Sequence, residues 1–403
     1  MDHKKDQEFE QTLAESELLL RGAARSASDD ADLTLESILA EFGSREDGTE
    51  AAAEPEDVGV PEPRPAVRIG KTAAPAAGPP EPQPPPAPAG AEPVAKEPYG
   101  VGLEGFAYPY PVNMLPLTNE GEQVRMAYMD VAPATPNGRT VLLLHGRNFP
   151  SSYWAPVIKT LTGAGYRVVV PDQIGFGKSS KPAFDLHFDT LARNTIALLD
   201  HLQLQQVDIV AHSLGGMLGV RITRAYPARV SRLLLAAPIG LEDYRLYVPP
   251  TPTEKILENE DKLTADGYRT QLVNNYSLKL PPEAITPFID ARFNIKGSSE
   301  YPRWLRAFVN SAQMIYREPV AHEIPLIDRP TLFVMGEDDH NAPGKPNAPE
   351  ALRPKMGHNA DLAKALAAKM PNAKAEVIPS VGHLVFLEAE AKFNELMLGF
   401  LAK

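Results

Sequence analysis

The stretch VDIVAHSLGGML, residues 207–218, is typical of a buried strand, a sharp turn and the beginning of a helix. Ser213 stands at the turn, with small residues two positions before it and two positions after it. This spacing is close to G-x-S-x-G, in which a tight strand-to-helix turn lifts a serine above the edge of a sheet. Ala211 replaces the first glycine, so the neighbouring helix must leave room for one extra methyl group. The motif alone is weak evidence, and the residues around it decide its meaning.

Short apolar runs alternate with helical segments on both sides of this stretch. Such alternation predicts βαβ units, and therefore an α/β fold with a mostly parallel sheet covered by helices on both faces. Between 240 and about 328 the alternation stops, and helical segments broken by proline pairs predict an inserted helical lid. The predicted strands are QVRMAYMDV (123–131), TVLLLHG (140–146), RVVVPDQ (167–173), VDIVAHS (207–213), RLLLAAPI (232–239), TLFVMGEDD (331–339) and AEVIPSVGH (375–383).

Residues 1–98 differ in composition from the rest of the chain. Residues 1–60 contain 17 acidic and 5 basic residues, which accounts for the whole net charge of -12. Of the 41 prolines, 14 lie between Pro55 and Pro98. We expect a disordered acidic tail and a proline-rich linker, because this composition cannot supply a core. One narrow apolar helical stripe, at 32–42, predicts either a transient helix or a docking helix for a protein partner.

Composition excludes several classes of function. The chain has no cysteine, which excludes a disulfide framework, thiolate metal ligands and a cysteine nucleophile. From residue 99 onward there are 31 acidic and 31 basic residues, and this neutrality argues against nucleic acid as a partner. No apolar run is long enough to predict a membrane span. The N-terminus lacks the apolar core of a signal peptide, so we expect a cytoplasmic protein.

A serine nucleophile needs a base and an acid, and both follow later strands in this sequence. His383 comes after the last predicted strand, on a loop opened by Gly382, and Asp339 ends the strand TLFVMGEDD. An imidazole can accept the serine proton, and a carboxylate can fix the tautomer of that imidazole. The chain order serine, aspartate, histidine is one of the orders in which such triads occur. We therefore predict Ser213, Asp339 and His383 as the catalytic residues.

An oxyanion hole is predicted from two backbone N–H groups. His145 and Gly146 end the strand TVLLLHG, and Arg147 follows them. The N–H of Arg147 and the N–H of Leu214, at the start of the helix after the serine, can together stabilise a developing negative charge. The side chain of His145 is expected to orient this loop and to take no part in the chemistry.

Five motifs occur in one order along the chain: HGRNF (145–149), PDQIGFGKSSKP (171–182), AHSLGG (211–216), GEDD (336–339) and GH (382–383). In this order and spacing, residues from about 100 to 403 resemble the α/β-hydrolase superfamily. The resemblance implies Ser213 as nucleophile, His383 as base and Asp339 as acid, since the family's acid usually stands three residues after the glycine. It implies no cofactor. The acidic tail resembles nothing in this family.

The resemblance is strongest to a bacterial branch related to lactonases, esterases and carbon–carbon bond hydrolases. Some members of that branch are exported, so export is the alternative to the cytoplasm. We predict a serine hydrolase that cleaves an ester or lactone of a small, largely apolar substrate through an acyl-enzyme. One alternative is hydrolysis of a carbon–carbon bond in a ring-fission product. An alternative of another class is a protein that binds partners through its tail and has an inert hydrolase domain.

Other motifs carry weaker predictions. The segment GFGKSS (175–180) has Asp172 where a phosphate-binding loop needs glycine, so we expect no nucleotide site. His340 and His358 lack the spacing of metal ligands, so we predict no metal. Glu242 and Asp243 are reserve choices for the acid. The aromatic residues of the predicted lid are expected to be mostly core; they are Tyr247, Tyr268, Phe293, Trp304 and Tyr316.

Overall fold

The computed structural model of the protein describes residues 97–403. The predicted acidic tail and its apolar stripe at 32–42, with all but the end of the proline-rich linker, lie outside the described residues. From residue 97 onward, no helix is both long enough and apolar enough to cross a membrane. An eight-stranded sheet forms the centre of this part of the chain.

The sheet is mostly parallel, with two antiparallel strands at one edge. The order across it is β1-β2-β4-β3-β5-β6-β7-β8. β1 pairs antiparallel with β2 and β2 pairs antiparallel with β4, whereas all the remaining pairs are parallel. The strands are β1 (Val112–Asn119), β2 (Glu122–Val131), β3 (Thr140–Leu144), β4 (Arg167–Pro171), β5 (Val207–His212), β6 (Val230–Ala236), β7 (Thr331–Gly336) and β8 (Ala373–Ile378).

Helices connect the parallel strands, as the alternation of the sequence predicts. In the described chain they are α1 (Ala155–Gly163), α2 (Phe188–His201), α3 (Leu214–Ala225), α4 (Thr253–Lys262), α5 (Ala265–Tyr276), α6 (Pro282–Asn294), α7 (Tyr301–Arg317), α8 (Asn359–Ala367), α9 (Val385–Glu388) and α10 (Glu390–Leu401). We call α4–α7 the helical insertion, because these four helices lie between β6 and β7 in the chain. They occupy the stretch for which the sequence predicts a lid.

Both faces of the sheet are covered by helices. In β3, Leu142 and Leu144 point to one face, Val141 and Leu143 point to the other, and all four are fully buried. Residues of α2, α3 and α8 pack on the first face, and residues of α1 and α10 pack on the second. A strand that is buried on both sides is a continuous apolar run, which is why a central strand is visible in the sequence here.

The edge strand β1 is absent from the predicted strands. Pro116 lies inside it, and proline cannot donate a hydrogen bond to a neighbouring strand. At the edge of the sheet this costs little, because β1 needs a partner on one side only and finds it in β2. An internal proline therefore hides an edge strand from pattern-based prediction.

The loop between β4 and α2 surrounds a carboxylate and leaves no room for a phosphate. Asp172 is buried and accepts hydrogen bonds from the Ser151 N–H at 3.0 Å, the Lys178 N–H at 2.8 Å and the Tyr108 hydroxyl at 2.6 Å. Gly177 has a φ of 46° and would place any Cβ against this carboxylate. The glycines of GFGKSS thus serve a tight turn around Asp172.

Lys181, at the end of the same loop, is a fully buried lysine. Its ammonium donates to the backbone carbonyl oxygens of Val101, Gly177 and Ser179 at distances between 2.7 and 2.9 Å. Burial lowers the pKa of Lys181 to about 7, because the charged form loses its hydration. The lysine ties the segment before β1 to the carboxyl end of β4.

Candidate active site

Ser213 occupies a strained turn between β5 and α3. Its backbone has a φ of 56° and a ψ of -119°, values that residues other than glycine seldom adopt. The side chain is almost completely buried at the carboxyl edge of the sheet. Strain of this kind is held in place by the surrounding packing, and it marks functional turns. The geometry is that of the strand-turn-helix elbow that the sequence predicts.

Small residues make this turn fit. A Cβ added at Gly215 would collide with the carbonyl oxygen of Leu144, so the last position of the motif requires glycine. Ala211, the departure at the first position, is fully buried and faces α3. Its methyl lies only 3.3 Å from where a Cβ of Gly219 would stand. The extra methyl of Ala211 is therefore accommodated because Gly219, one helical turn after Gly215, has no side chain.

Three side chains from three different strand ends meet at this edge. The Ser213 hydroxyl lies 3.0 Å from Nε2 of His383, and Nδ1 of His383 lies 2.9 Å from Oδ2 of Asp339. The histidine and aspartate side chains are completely buried. The Asp339 Oδ1 accepts a second hydrogen bond, from the N–H of Asn341, at 3.0 Å. The structure thus brings together all three residues that the sequence predicts as the triad.

The alternative carboxylates lie elsewhere. Asp338 is partly exposed and forms an ion pair with Lys279. Asp243 pairs with Arg245, whose hydrogen bonds lower the pKa of the Asp243 carboxyl. Glu242 accepts the N–H of Gly357 at 2.9 Å, and burial raises its pKa. Asp339 is the carboxylate that is bonded to His383.

The two residues predicted to supply the oxyanion hole, Leu214 and Arg147, belong to the two loops that meet at the serine. Leu214 is the first residue of α3, so its N–H has no partner within the helix. A Cβ added at Gly146, just before Arg147, would lie 3.0 Å from the Cβ of Ser213. The glycine therefore allows the loop after β3 to lie close to the turn at Ser213. Both Ser213 and Arg147 line the same cavity.

A second buried histidine supports the first. The Gly146 N–H donates to the Tyr153 hydroxyl at 2.8 Å, and this hydroxyl lies 2.9 Å from Nδ1 of His212. Nε2 of His212 lies 3.0 Å from the carbonyl oxygen of His383, to which it can donate. Burial holds the pKa of His212 well below its usual range, so this ring is neutral. No sequence motif predicts this role of His212.

His145 has a structural place in the loop, as predicted. Its Nδ1 lies 2.7 Å from the carbonyl oxygen of Gly146, and its Nε2 accepts the N–H of Gln173 at 2.9 Å. Both ring nitrogens are therefore occupied by backbone groups, and burial lowers the pKa of the ring. His145 joins the end of β3 to the end of β4.

Tyr276, at the end of α5, was also not singled out from the sequence. Its carbonyl oxygen accepts the N–H of His383 at 2.8 Å, and its ring lies 4.4 Å from the His383 ring, centroid to centroid. Its hydroxyl is hydrogen-bonded to Asn148, next to Arg147. Tyr276 thus joins the helical insertion to both the histidine loop and the loop after β3. No local motif marks such a residue, because its contacts are entirely tertiary.

A cavity of about 620 Å³ opens at Ser213. The lining suits the largely apolar substrate that the sequence predicts only in part, because charged and amide side chains from α4–α7 and from the loops after β3 and β7 lie among the apolar ones. The charged lining residues are Arg147, Glu260, Arg292, Lys345 and Arg353; the amides are Asn148, Asn259, Gln271, Asn275, Gln313, Asn341 and Asn347; the aliphatic residues are Ile239, Val248, Ile256, Leu272 and Ile315.

The remaining candidates have other surroundings. His340 and His358 are each hydrogen-bonded to a backbone carbonyl oxygen. Within residues 97–403 no three side chains of the metal-binding types come together. Of the five aromatic residues named for the predicted lid, Tyr268 and Tyr316 line the cavity; Tyr247, Phe293 and Trp304 lie outside its lining.

This combination of sheet order, elbow and triad geometry agrees with a comparison to known families. A family model described as the alpha/beta hydrolase family matches residues 141–396. The chain belongs to the α/β-hydrolase family. The predicted fold class is confirmed, including the mostly parallel sheet, and the protein is a hydrolase in the broad sense of this family.

Individual relatives show how far the likeness extends. A solved structure of a probable hydrolytic enzyme from Pseudomonas aeruginosa is 38% identical, covers 76% of this chain and 98% of its own, and has a TM-score of 0.73. A 2-hydroxy-6-oxononadienedioate/2-hydroxy-6-oxononatrienedioate hydrolase of Paraburkholderia xenovorans is 30% identical and matches over 70% of this chain and 93% of its own length. An esterase from Exiguobacterium antarcticum, 19% identical over 70% of this chain and 96% of its own with a TM-score of 0.56, shows the fold alone.

Proposed function

We propose that this α/β hydrolase is a serine hydrolase that cleaves an ester or lactone through an acyl-enzyme. The observation that carries the proposal is the continuous hydrogen-bonded line from Ser213 through His383 to Asp339, with distances of 3.0 and 2.9 Å. All three side chains are buried at the sheet edge, and the serine also faces a cavity of suitable size for a small molecule.

The proposed reaction has two halves. In the first, Nε2 of His383 takes the proton of Ser213 as Oγ bonds to the carbonyl carbon. The carbonyl oxygen becomes an oxyanion, held by the N–H groups of Leu214 and Arg147. The intermediate then collapses: the bond to the leaving alkoxide breaks, and the histidine returns its proton to that oxygen. In the second half, water repeats the attack on the acyl-serine, and a carboxylic acid leaves.

Asp339 acts on the orientation of the base. Its carboxylate accepts from Nδ1 of His383, which leaves Nε2 unprotonated and directed at the serine. The same carboxylate stabilises the imidazolium that forms when the proton arrives. Because Asn341 anchors the second oxygen of this carboxylate at 3.0 Å, its direction is fixed from both sides.

Hydrolysis of a carbon–carbon bond is the second candidate, and the names of relatives favour it. Several chains that are 27 to 30% identical to this one carry the name 2-hydroxy-6-oxononadienedioate/2-hydroxy-6-oxononatrienedioate hydrolase. A ring-fission product offers a ketone next to a dienol, whereas an ester offers an alkoxide as the leaving group. A panel containing both substrate types separates the two reactions.

The test combines a covalent probe with that panel. The full chain is treated with a fluorophosphonate, and turnover of short p-nitrophenyl esters, simple lactones and a vinylogous 1,5-diketone is followed. We expect labelling together with ester or lactone turnover, and the loss of both in Ser213→Ala. Turnover of the diketone alone would favour the carbon–carbon bond hydrolase. Neither labelling nor turnover of any substrate would favour the alternative of a partner-binding protein with an inert domain.

A further inference from the structure

The cavity that reaches Ser213 is strongly cationic. Four basic side chains line it, and among the described residues only one acidic side chain does so, Glu260. From residue 99 onward, by contrast, the chain has equal numbers of acidic and basic residues. The excess of positive charge is therefore a property of the cavity and not of the domain. Such a concentration of one sign in a cleft attracts substrate of the opposite sign.

Part of this charge is compensated within the helical insertion. Glu260 on α4 forms ion pairs with Arg292 on α6 at 2.5 Å and with Arg147 at 3.5 Å. Arg147 also donates to the Ser311 hydroxyl at 2.9 Å and to the Phe308 carbonyl oxygen at 3.1 Å. Through these contacts the two guanidinium groups join helices of the insertion to each other and to the loop after β3. The cluster keeps one positive charge.

The loop after β7 supplies the other two cations. Lys345 is half-buried and donates to the Met356 carbonyl oxygen at 2.7 Å, and Arg353 is exposed and donates to the Ala348 carbonyl oxygen at 2.9 Å. Neither forms an ion pair with a carboxylate of residues 97–403. The charge of Lys345 does act on Glu242, which lies outside the cavity lining and accepts the Gly357 N–H. Burial raises the pKa of Glu242, and the nearby Lys345 lowers it by less.

We propose that the substrate carries a carboxylate, which binds to Lys345 and Arg353 while Ser213 attacks the ester or lactone carbonyl. The proposal rests on the serine-hydrolase function proposed above and names its substrate class: monoesters of dicarboxylic acids, or lactones with a free carboxylate. Two cations that make no salt bridge within residues 97–403, on one loop and lining one cavity, match a single anionic group. Aliphatic residues in the same lining, Val248 and Ile315 among them, suit the carbon chain between the two ends.

The two cations are expected to contribute unequally. Lys345 is half-buried, so water and salt screen its charge less than that of Arg353 at the rim. A charge-assisted hydrogen bond in such a place discriminates against a neutral group by about tenfold or more. We therefore expect Lys345 to set most of the preference and Arg353 to add a smaller, salt-sensitive part.

The experiment compares two esters that differ only in charge. The p-nitrophenyl monoester of adipic acid carries a carboxylate, and the same ester of adipic acid monoamide carries a neutral amide of similar shape. The readout is the ratio of kcat/KM for the two esters, measured with the full chain. The variants are Lys345→Gln and Arg353→Gln, with Lys355→Gln as the matched control, because Lys355 is an exposed lysine of the same loop outside the cavity lining.

The proposal predicts a ratio of about ten or more in favour of the carboxylate ester. Lys345→Gln should bring the ratio close to one, Arg353→Gln should lower it less, and Lys355→Gln should leave it unchanged. Added salt should lower the ratio of the parent chain. A ratio near one, or a high ratio that neither Lys345→Gln nor Arg353→Gln lowers, overturns the proposal while leaving the serine-hydrolase function intact.

If neither ester is cleaved, the proposed reaction is wrong, and the preference for a carboxylate is tested by measuring ligand binding. Calorimetric titration of the full-length Ser213→Ala chain with adipic acid monoamide and with neutral adipamide needs no chemistry. Stronger binding of the carboxylate, weakened by Lys345→Gln and not by Lys355→Gln, supports the anionic ligand. Equal binding of the two compounds overturns it. The same titration serves if Lys345→Gln is poorly folded, with Arg353→Gln as the second variant.

Discussion

The sheet edge and the wall of the cavity treat charge in opposite ways. At the sheet edge, Asp339 and His383 are completely buried and hydrogen-bonded to each other in one line that ends at Ser213. In the cavity wall, Lys345 and Arg353 face an open volume and bind only backbone carbonyl oxygens. Buried groups that are hydrogen-bonded to each other can act on any carbonyl substrate. Cations that make no salt bridge can instead select a substrate by its charge. Changes at the edge should therefore act on rate, and changes in the wall on selectivity or folding.

The largest effect is expected at the nucleophile. Ser213→Ala should lower kcat by at least about 10^4 for every substrate, because removal of a triad member leaves only binding and the oxyanion hole. The thermal midpoint should hardly change, since the substitution removes only one hydroxyl group, at the wall of a cavity. Ser299→Ala, at an exposed serine, is the control for both measurements. Turnover that persists in Ser213→Ala would move the reactive group away from the sheet edge.

The next effect concerns the acid. Asp339→Asn should lower kcat by about 10^4, because the amide favours the wrong tautomer of His383, as in the serine-protease template. Asp338→Asn changes the neighbouring residue, which pairs with Lys279 on the surface, and should leave kcat nearly unchanged. Kinetics of both variants with one ester provide the comparison. If Asp243→Asn is the damaging change, the assignment of the acid is wrong.

Much of the sheet edge was predictable from the sequence, and the reason is local. β5, the turn at Ser213 and α3 are continuous in the chain, and the loops with Asp339 and His383 each follow a buried strand. Parallel strands bring their carboxyl ends to one edge, so strand order alone predicts that these residues are neighbours. What remained hidden there, Tyr276 and His212, acts through contacts that no motif records.

The cavity wall was not predictable in the same way. The charged lining comes from two helices and a long loop that are far apart in sequence, with Glu260 on α4, Arg292 on α6 and Lys345 on the loop. Each is of a residue type that is ordinarily found on a protein surface. The apolar pattern of the insertion predicts helices, yet it contains no information on which side chains face Ser213. The expectation of a largely apolar substrate came from the predicted lid as a whole and singled out no cation. Of the aromatic residues expected to be mostly core, Tyr247, Phe293 and Trp304 do lie outside the lining.

A change in the wall should affect stability more than rate where the charges are paired. Glu260→Gln would leave Arg147 and Arg292 without their carboxylate, and both guanidinium groups are largely buried. We expect the free energy of unfolding to fall by about 3 kcal/mol, measured by urea denaturation. Glu258→Gln on the same helix, where the carboxylate pairs with Lys255 and Lys262 on the surface, should cause no measurable change. Equal effects of the two changes would show that the ion pairs of Glu260 do not stabilise the fold more than those of Glu258.

The last effect depends on pH and concerns Lys181, a buried lysine of the loop after β4 that is held by carbonyl oxygens. Its pKa of about 7 in the folded chain lies below the ordinary lysine value, so between about pH 7 and pH 10.5 the unfolded chain binds the extra proton. Stability from this group should therefore rise with pH across that window, by at most about 1.4 kcal/mol per pH unit, and stay constant below it.

The comparison with Lys181→Met isolates this contribution. The difference in the free energy of unfolding between the parent chain and Lys181→Met, from urea titrations at several pH values, should increase in favour of the parent as the pH rises from about 7 to 10. All other titrating groups cancel in that difference. A difference that does not change with pH would mean that the carbonyl oxygens keep the Lys181 ammonium charged at its ordinary pKa.

The most direct test of the account is the position of a covalent adduct. The full chain is treated with a fluorophosphonate, digested with trypsin and analysed by mass spectrometry, in parallel with Asp339→Asn and Asp338→Asn. We expect one adduct, on Ser213, formed at the parent rate in Asp338→Asn and far more slowly in Asp339→Asn. An adduct on another residue, or equal labelling of Ser213 in Asp339→Asn and Asp338→Asn, would contradict the claim that His383 and Asp339 activate Ser213.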